Sequence, residues 1–278
     1  VVDRDFVEFS NLQRQTLYKE QDAIDRLPKA IACQNRLAEI NSEIQVEPIV
    51  ADVNRSNIEE LIKDRDLTLD GTDNFSVRYL LNEACVKHSK TWIYGAAVSS
   101  YGTTMTIRPN ETPCLRCIFE EIPSAGSAPT CDTTGVIMPI ISSISAIQTT
   151  EALKILTGNL EQLHKSLIQI DVWQNDWRKI KLSQPNEDCE TCGMRNFELL
   201  DGNSQEFFTT LCGRDAVQIS APKPTKIDLQ NLAEKLKHLG EIKQNEYLVR
   251  FTVNKFEVTV FQDARAIIKG TDDLTTAR

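Results

Sequence analysis

Read from its first residue, the chain alternates short apolar runs with segments in which apolar side chains recur every three or four positions. Val1-Val2 ends at Asp3 like the tail of a buried strand. Over residues 22–40, Ile24, Leu27, Ile31, Leu37 and Ile40 recur at helical spacing and predict one helix. Residues 45–50 read as a strand, 58–62 as a short helix, and 67–70 as a short buried strand ended by Gly71. Val77, Leu80, Leu81 and Ala84 predict a helix over 75–87, and residues 91–94 and 101–107 read as strands. The stretch 136–156 is a long, largely apolar helix in which Pro139 forces a kink or a late start. Residues 167–172 and 177–182 are strand-like. Such alternation predicts an α/β fold: a Rossmann-like, mostly parallel sheet with helices on both faces.

After Gly193 the texture changes. Polar residues dominate 201–210, and Ala221-Pro222-Lys223-Pro224 reads as a linker. Asp228 can cap a helix that runs to Leu239 and stops at Gly240. Residues 247–253, 256–261 and 266–268 then read as short antiparallel strands. The expected organisation is a large domain over 1–195 and a small α+β domain over 196–278, which suits a length of 278 residues.

Composition narrows the function classes. With 41% hydrophobic and 26% charged residues, the chain can build a core and stay soluble. No apolar run approaches the roughly 20 residues that span a bilayer. The opening also lacks the basic-then-apolar order of a signal peptide. A cytoplasmic protein without a membrane partner is expected. The net charge of −9 disfavours nucleic acid as a partner, although ATP needs only a few local cations. Eight cysteines without a secretion signal point to metal or thiol chemistry more than to a disulfide framework.

Cys114-Leu115-Arg116-Cys117 and Cys189-Glu190-Thr191-Cys192 are two matched knuckles. Each spacing directs two thiolates at one ion, and together they complete a tetrahedron of sulfur around Zn²⁺. Four thiolates leave no open position, so such a zinc holds structure and does not activate water. The alternatives are four unliganded thiols or a redox pair, and zinc is favoured over them because redox motifs seldom come as two matched pairs.

Elsewhere the polar residues cluster where ligands bind. Asp3 ends a strand, where an acidic side chain of a dinucleotide-type fold accepts hydrogen bonds from ribose hydroxyls. Ser10-Asn11-Leu12-Gln13-Arg14-Gln15 gathers a hydroxyl, amides and a guanidinium in one short segment. Lys29, after Pro28, begins a helix, where backbone N–H groups also favour anions. Arg14 and Lys29 together suit a triphosphate. Asp73, in Leu69-Asp70-Gly71-Thr72-Asp73-Asn74 at a strand's C-terminal end, can hold Mg²⁺ on ATP phosphates or cap the following helix.

These pieces resemble, in order and over about residues 1–193, the adenylyltransferases that activate the molybdopterin-synthase and thiamine sulfur carriers. These enzymes are the MoeB/ThiF type, relatives of the ubiquitin-activating enzymes. The matching strings are Val2-Asp3-Arg4-Asp5, Ser10 to Gln15, Pro28-Lys29, Thr72-Asp73-Asn74, both knuckles, and Thr130-Cys131 with Gly135. The resemblance implies that Asp3 binds the ribose, that Ser10, Asn11, Arg14, Lys29 and Asn74 surround the nucleotide, and that Asp73 coordinates magnesium. Cys131 matches the cysteine that forms a thioester in the ubiquitin-activating enzymes, and no Lys, Arg or His adjoins it in sequence to lower its pKa. The family's glycine-rich phosphate loop and first strand precede Asp3, so residues upstream of Val1 are expected.

The implied reaction is ATP-dependent adenylylation of the C-terminal Gly carboxylate of a ubiquitin-like carrier ending in Gly-Gly. A cysteine desulfurase or rhodanese would then supply sulfur, and the enzyme would be a homodimer. That carboxylate is already ionised, so no general base is required, and none of His88, His164 and His238 falls in a motif. Catalysis would rest on positioning and charge neutralisation by Arg14, Lys29 and Mg²⁺. Three rivals remain at this stage. One is a nicotinamide-dependent oxidoreductase, which Asp3 would also suit. The others are a non-catalytic zinc scaffold that binds a protein partner, and adenylylation of another carboxylate, such as that of a modified tRNA base.

Overall fold

A computed structural model of the chain describes residues 1–122, 134–202, 208–211, 216–219, 225–271 and 273–277. In chain order the first elements are β1 (Val2–Asp3), α1 (Glu20–Ile24), α2 (Lys29–Ile40), β2 (Ile49–Val50), α3 (Ile58–Lys63), β3 (Thr68–Leu69) and α4 (Phe75–Lys87). There follow β4 (Trp92–Val98), β5 (Tyr101–Ile107), α5 (Leu115–Ile118), α6 (Met138–Leu156), β6 (Ser166–Asp171), β7 (Asp176–Lys181) and α7 (Glu198–Asp201). The rest comprises β8 (Phe208–Leu211), β9 (Ala216–Ile219), α8 (Leu229–Leu236), β10 (Ile242–Gln244), β11 (Leu248–Val253), β12 (Phe256–Phe261), β13 (Ala266–Lys269) and α9 (Leu274–Ala277). Among the described residues no helix is long and apolar enough to cross a membrane.

Two compact units emerge. One comprises Val1–Val7, Gln21–Ala51 and Asn203–Arg278, the other Glu8–Glu20 and Asp52–Gly202. In the first, β1 and β2 pair in parallel, with Val2 opposite Ile49 and Asp3 opposite Val50. The expected single helix over 22–40 is two, because Arg26 turns at φ +49° and Pro28, without an N–H, stands as the N-cap of α2. The later strands form an antiparallel sheet in the order β10-β11-β12-β13-β9-β8. Phe6 joins the core of this unit with Ala216, Leu248, Phe261 and Ile267, its ring stacked on Phe261 at 6.4 Å. Arg265, almost fully buried, donates from Nη2 to the Arg4 carbonyl at 2.9 Å.

The second unit is built on a sheet ordered β3-β4-β5-β6-β7. Among its described strands β3 and β4 pair in parallel, while β4 through β7 are antiparallel. The fold is α/β as expected, with a mixed rather than mostly parallel sheet. The reason is local: Ser99-Ser100 reverses the chain in two residues, with Ser99 at φ +55°, and a crossover helix has no room there. Strand alternation sends Trp92, Tyr94, Met105 and Ile107 into one core with α3, α4 and the knuckles. The opposite face meets α6, whose Ile140 and Ile144 pack with Val136 and Ile170. Gly95 permits that approach, since a Cβ there would lie 2.4 Å from Gln148 Nε2. Pro139 sits in the first turn of α6, where no helical bond is lost, so the helix starts late, at Met138.

Candidate nucleotide site and cysteine centre

The knuckles meet as their spacing requires. Sγ of Cys114 lies 3.7 Å from that of Cys189 and 3.9 Å from that of Cys117, and Cys117 lies 3.3 Å from Cys192. All four sulfurs fall within 4.8 Å of one another. A tetrahedral site with metal–sulfur bonds of about 2.3 Å has edges of about 3.8 Å, so the donors fit a zinc ion. Sulfurs this close cannot all ionise without a cation: the hydrogen bond to Cys117, then that to Cys192 and burial, push the Cys114 thiol up. Outside the knuckles, burial pushes Cys85 up to about 12, which leaves it inert.

The helix α4 supports this centre. Asn82, fully buried, accepts from the Leu115 N–H beside Cys114 at 2.9 Å. Glu83 accepts from the N–H groups of Leu199 and Leu200 at 2.9 and 3.0 Å, which secures α7 after the second knuckle. Tyr79 donates to the carbonyls of Phe119 and Glu121.

At the other end of α4 lies the Asp70–Asn74 loop. Asn74 caps the helix by accepting from Val77 N–H at 3.3 Å. Helix capping, one of the two roles open to Asp73, therefore falls to Asn74, and Asp73 is exposed. Behind it, Asp70 is buried and ion-paired with Arg78 at 3.2 Å. Burial pushes the Asp70 carboxyl up against the opposing pull of Arg78.

Residues 8–15 form a tight turn in the same unit. Asn11, 3% exposed, accepts from Glu8 N–H at 3.0 Å, which fixes the turn from inside. Arg14 Nη1 donates to the Ser10 carbonyl at 2.8 Å, and Gln13 Nε2 reaches the Val136 carbonyl at 3.4 Å. In the other unit, the Asp5 N–H donates to Asp3 Oδ1 at 2.8 Å and Lys29 pairs with Asp5 at 3.3 Å. The predicted nucleotide residues thus occupy both units: Asp3 and Lys29 in one, Ser10, Asn11, Arg14, Asp73 and Asn74 in the other. Cys131 lies outside the described residues.

A family model for ThiF matches residues 1–191. The chain belongs to the ThiF family. It is 40% identical over 280 aligned positions to the sulfur carrier protein ThiS adenylyltransferase of Bacillus subtilis, spanning 100% of this chain and 82% of that one. It is 37% identical to the molybdopterin-synthase adenylyltransferase of Salmonella typhimurium, over 69% of this chain and 76% of that one. Among solved structures, Escherichia coli MccB with ATP aligns with a TM-score of 0.57 at 20% identity, over 69% of this chain and 58% of MccB. At that identity the likeness concerns fold alone. As a ThiF-family member with such relatives, the chain is an adenylyltransferase. The oxidoreductase reading falls with this.

Several buried polar groups of this ThiF-family chain escaped the sequence reading: Arg78, Asn82, Glu83, Gln148 and Glu151. The signal for them was a charged or amide side chain inside an apolar helical face, as Arg78 and Asn82 stand among Tyr79, Leu80 and Leu81. Glu151, 1% exposed, is held by Lys154 at 2.6 Å and by the His164 N–H at 3.1 Å. It borders a cavity of about 430 Å³ with Trp177 and Arg178, which none of the predicted nucleotide residues line.

Proposed function

We propose that this protein adenylylates the C-terminal Gly carboxylate of a ubiquitin-like sulfur carrier, with the thiamine-type carrier as its substrate. The observation that carries the reading is the extent of the likeness to the Bacillus ThiS enzyme, which continues through the last eighty-odd residues. Likeness to the Salmonella molybdopterin enzyme covers 69% of the chain. Under this reading the carrier's carboxylate oxygen attacks the α-phosphorus of ATP. The bond from that phosphorus to the bridging oxygen breaks, and pyrophosphate leaves with the electron pair. A sulfur nucleophile delivered by a cysteine desulfurase or rhodanese then attacks the acyl carbon, the bond from that carbon to the phosphate oxygen breaks, and AMP leaves.

Asp3 takes the ribose hydroxyls, and Ser10, Asn11 and Asn74 line the nucleotide. Arg14 and Lys29 neutralise the phosphates, which is where charge develops in the transition state. Lys29, only 7% exposed and held by Asp5, is oriented in advance. Asp73 offers a hard oxygen ligand to Mg²⁺, which when bound would supply positive charge against the phosphates. The four cysteines hold a structural Zn²⁺. Cys131 is a candidate thiol for a covalent intermediate. The enzyme acts in the cytoplasm as a homodimer, with residues 1–195 as the ATP-binding part and 196–278 as a small appended α+β domain.

The test is chemical. The full-length protein, with ATP, Mg²⁺ and a thiamine-type carrier, should yield an AMP adduct at the carrier's C-terminal glycine by mass spectrometry. An adduct only on a molybdopterin-type carrier would reassign the substrate. No adduct on either, with zinc bound and the protein folded, would favour a zinc-stabilised binding scaffold.

A further inference from the structure

Arg78 and Asp70 form a buried ion pair directly behind the loop that carries Asp73. Their side chains are 5% and 0% exposed, and Arg78 Nε donates to Asp70 Oδ2 at 3.2 Å. Arg78 Nη2 also donates to the Thr72 carbonyl, and Asp70 Oδ1 accepts from Thr72 N–H at 2.8 Å. Both backbone polar groups of the residue before Asp73 are thereby tied to this one pair. The Asp70 carbonyl accepts from Gln148 Nε2 at 2.9 Å, which anchors the loop's base to α6. On the other side the guanidinium lies 5.4 Å from the centre of the Phe75 ring and 5.7 Å from that of Tyr94. Two apolar residues would fill this space at no desolvation cost, so the pair is a poor device for stability alone. What it supplies is a single conformation for Thr72 and its neighbour.

We infer that Arg78, clamped by Asp70, is a positioning residue for the nucleotide-bound metal: it fixes the Gly71–Asn74 turn so that the Asp73 carboxylate is pre-set for Mg²⁺. The inference rests on the reading of Asp73 given above. Partners that orient a metal ligand are worth about 10–100-fold in metal affinity or activity.

The test compares the full-length wild type with Arg78→Lys and with the double variant Asp70→Asn/Arg78→Met, which removes both buried charges together. Pyrophosphate exchange is followed against Mg²⁺ concentration, alongside zinc content, thermal midpoint and amide hydrogen exchange of residues 71–74. The double variant should keep its zinc and a midpoint near that of wild type. Its half-saturating Mg²⁺ should nonetheless rise by about tenfold or more, with KM for the carrier unchanged. Its 71–74 amides should exchange faster, and Arg78→Lys should fall between. A double variant with wild-type Mg²⁺ dependence and wild-type loop exchange overturns the inference and leaves the proposed function standing. Absence of exchange activity in wild type itself would instead sink the proposed function. The amide measurement would still decide whether the pair holds the turn.

Discussion

At the residue scale, charge placement and backbone space make separate demands. If Arg14 neutralises the phosphates and Asp73 holds Mg²⁺ on them, Arg14→Ala or Asp73→Ala should cut carrier-dependent exchange by about two to three orders of magnitude. The thermal midpoint should stay within a degree or two, because neither side chain is buried. A tenfold loss or less in either variant would remove that residue from the reaction. Gly95 makes the opposite prediction. Its Cβ would displace Gln148, whose amide also serves the Ile93 carbonyl at 3.1 Å, so Gly95→Ala should cost about 1–3 kcal/mol in denaturant unfolding. An unchanged midpoint would mean that Gln148 can swing away freely. The cysteine pairs were legible at this scale because each knuckle is local in sequence and the meeting of two is a matter of chemistry. The Asp70–Arg78 pair was not. Its members stand eight positions apart across a helix start, and only the fold decides that both are buried.

At the element scale, α4 joins the Asp73 loop to the cysteine centre. Asn82→Ala strands the buried Leu115 N–H, at a cost of about 1–3 kcal/mol. It should also weaken zinc retention against a chelator. Unchanged retention would separate the helix from the metal. A second tie runs from α4 to α3, where the His88 hydrogen bond, then that from Lys87, holds Glu59 below the ordinary carboxylate range. A lowered carboxylate adds stability above its unfolded pKa, about 4.3, and loses it as pH falls through the folded value. The wild type should therefore lead Glu59→Gln slightly at neutral pH and lose that lead in acid. A pH-independent difference would contradict the assignment. Helical spacing revealed α4 to its last residue and the Asp228 cap, whose carboxylate accepts from Asn231 N–H at 3.0 Å. It missed the break at Arg26–Pro28, because the apolar positions on both sides stay in phase. It also missed β8, β9 and β10, which are strands of three or four residues recognisable only from their partners in the sheet.

At the scale of the whole molecule, the α/β class and the cysteine centre followed from pattern. The mixed sheet and the enlistment of Phe6 in a core with Phe261 did not, since both depend on contacts between residues distant in sequence. The nucleotide residues fall on four separate segments, and their common purpose was legible through family resemblance rather than through periodicity. The central claim is carboxylate adenylylation of a sulfur carrier. It is tested most directly by ATP–pyrophosphate exchange in the full-length protein, with a thiamine-type and a molybdopterin-type carrier assayed side by side. Exchange that requires a carrier's intact Gly-Gly terminus, and is stronger with the thiamine-type carrier, is the expected result. Zinc-bound, folded protein that catalyses no exchange with either carrier would contradict the claim.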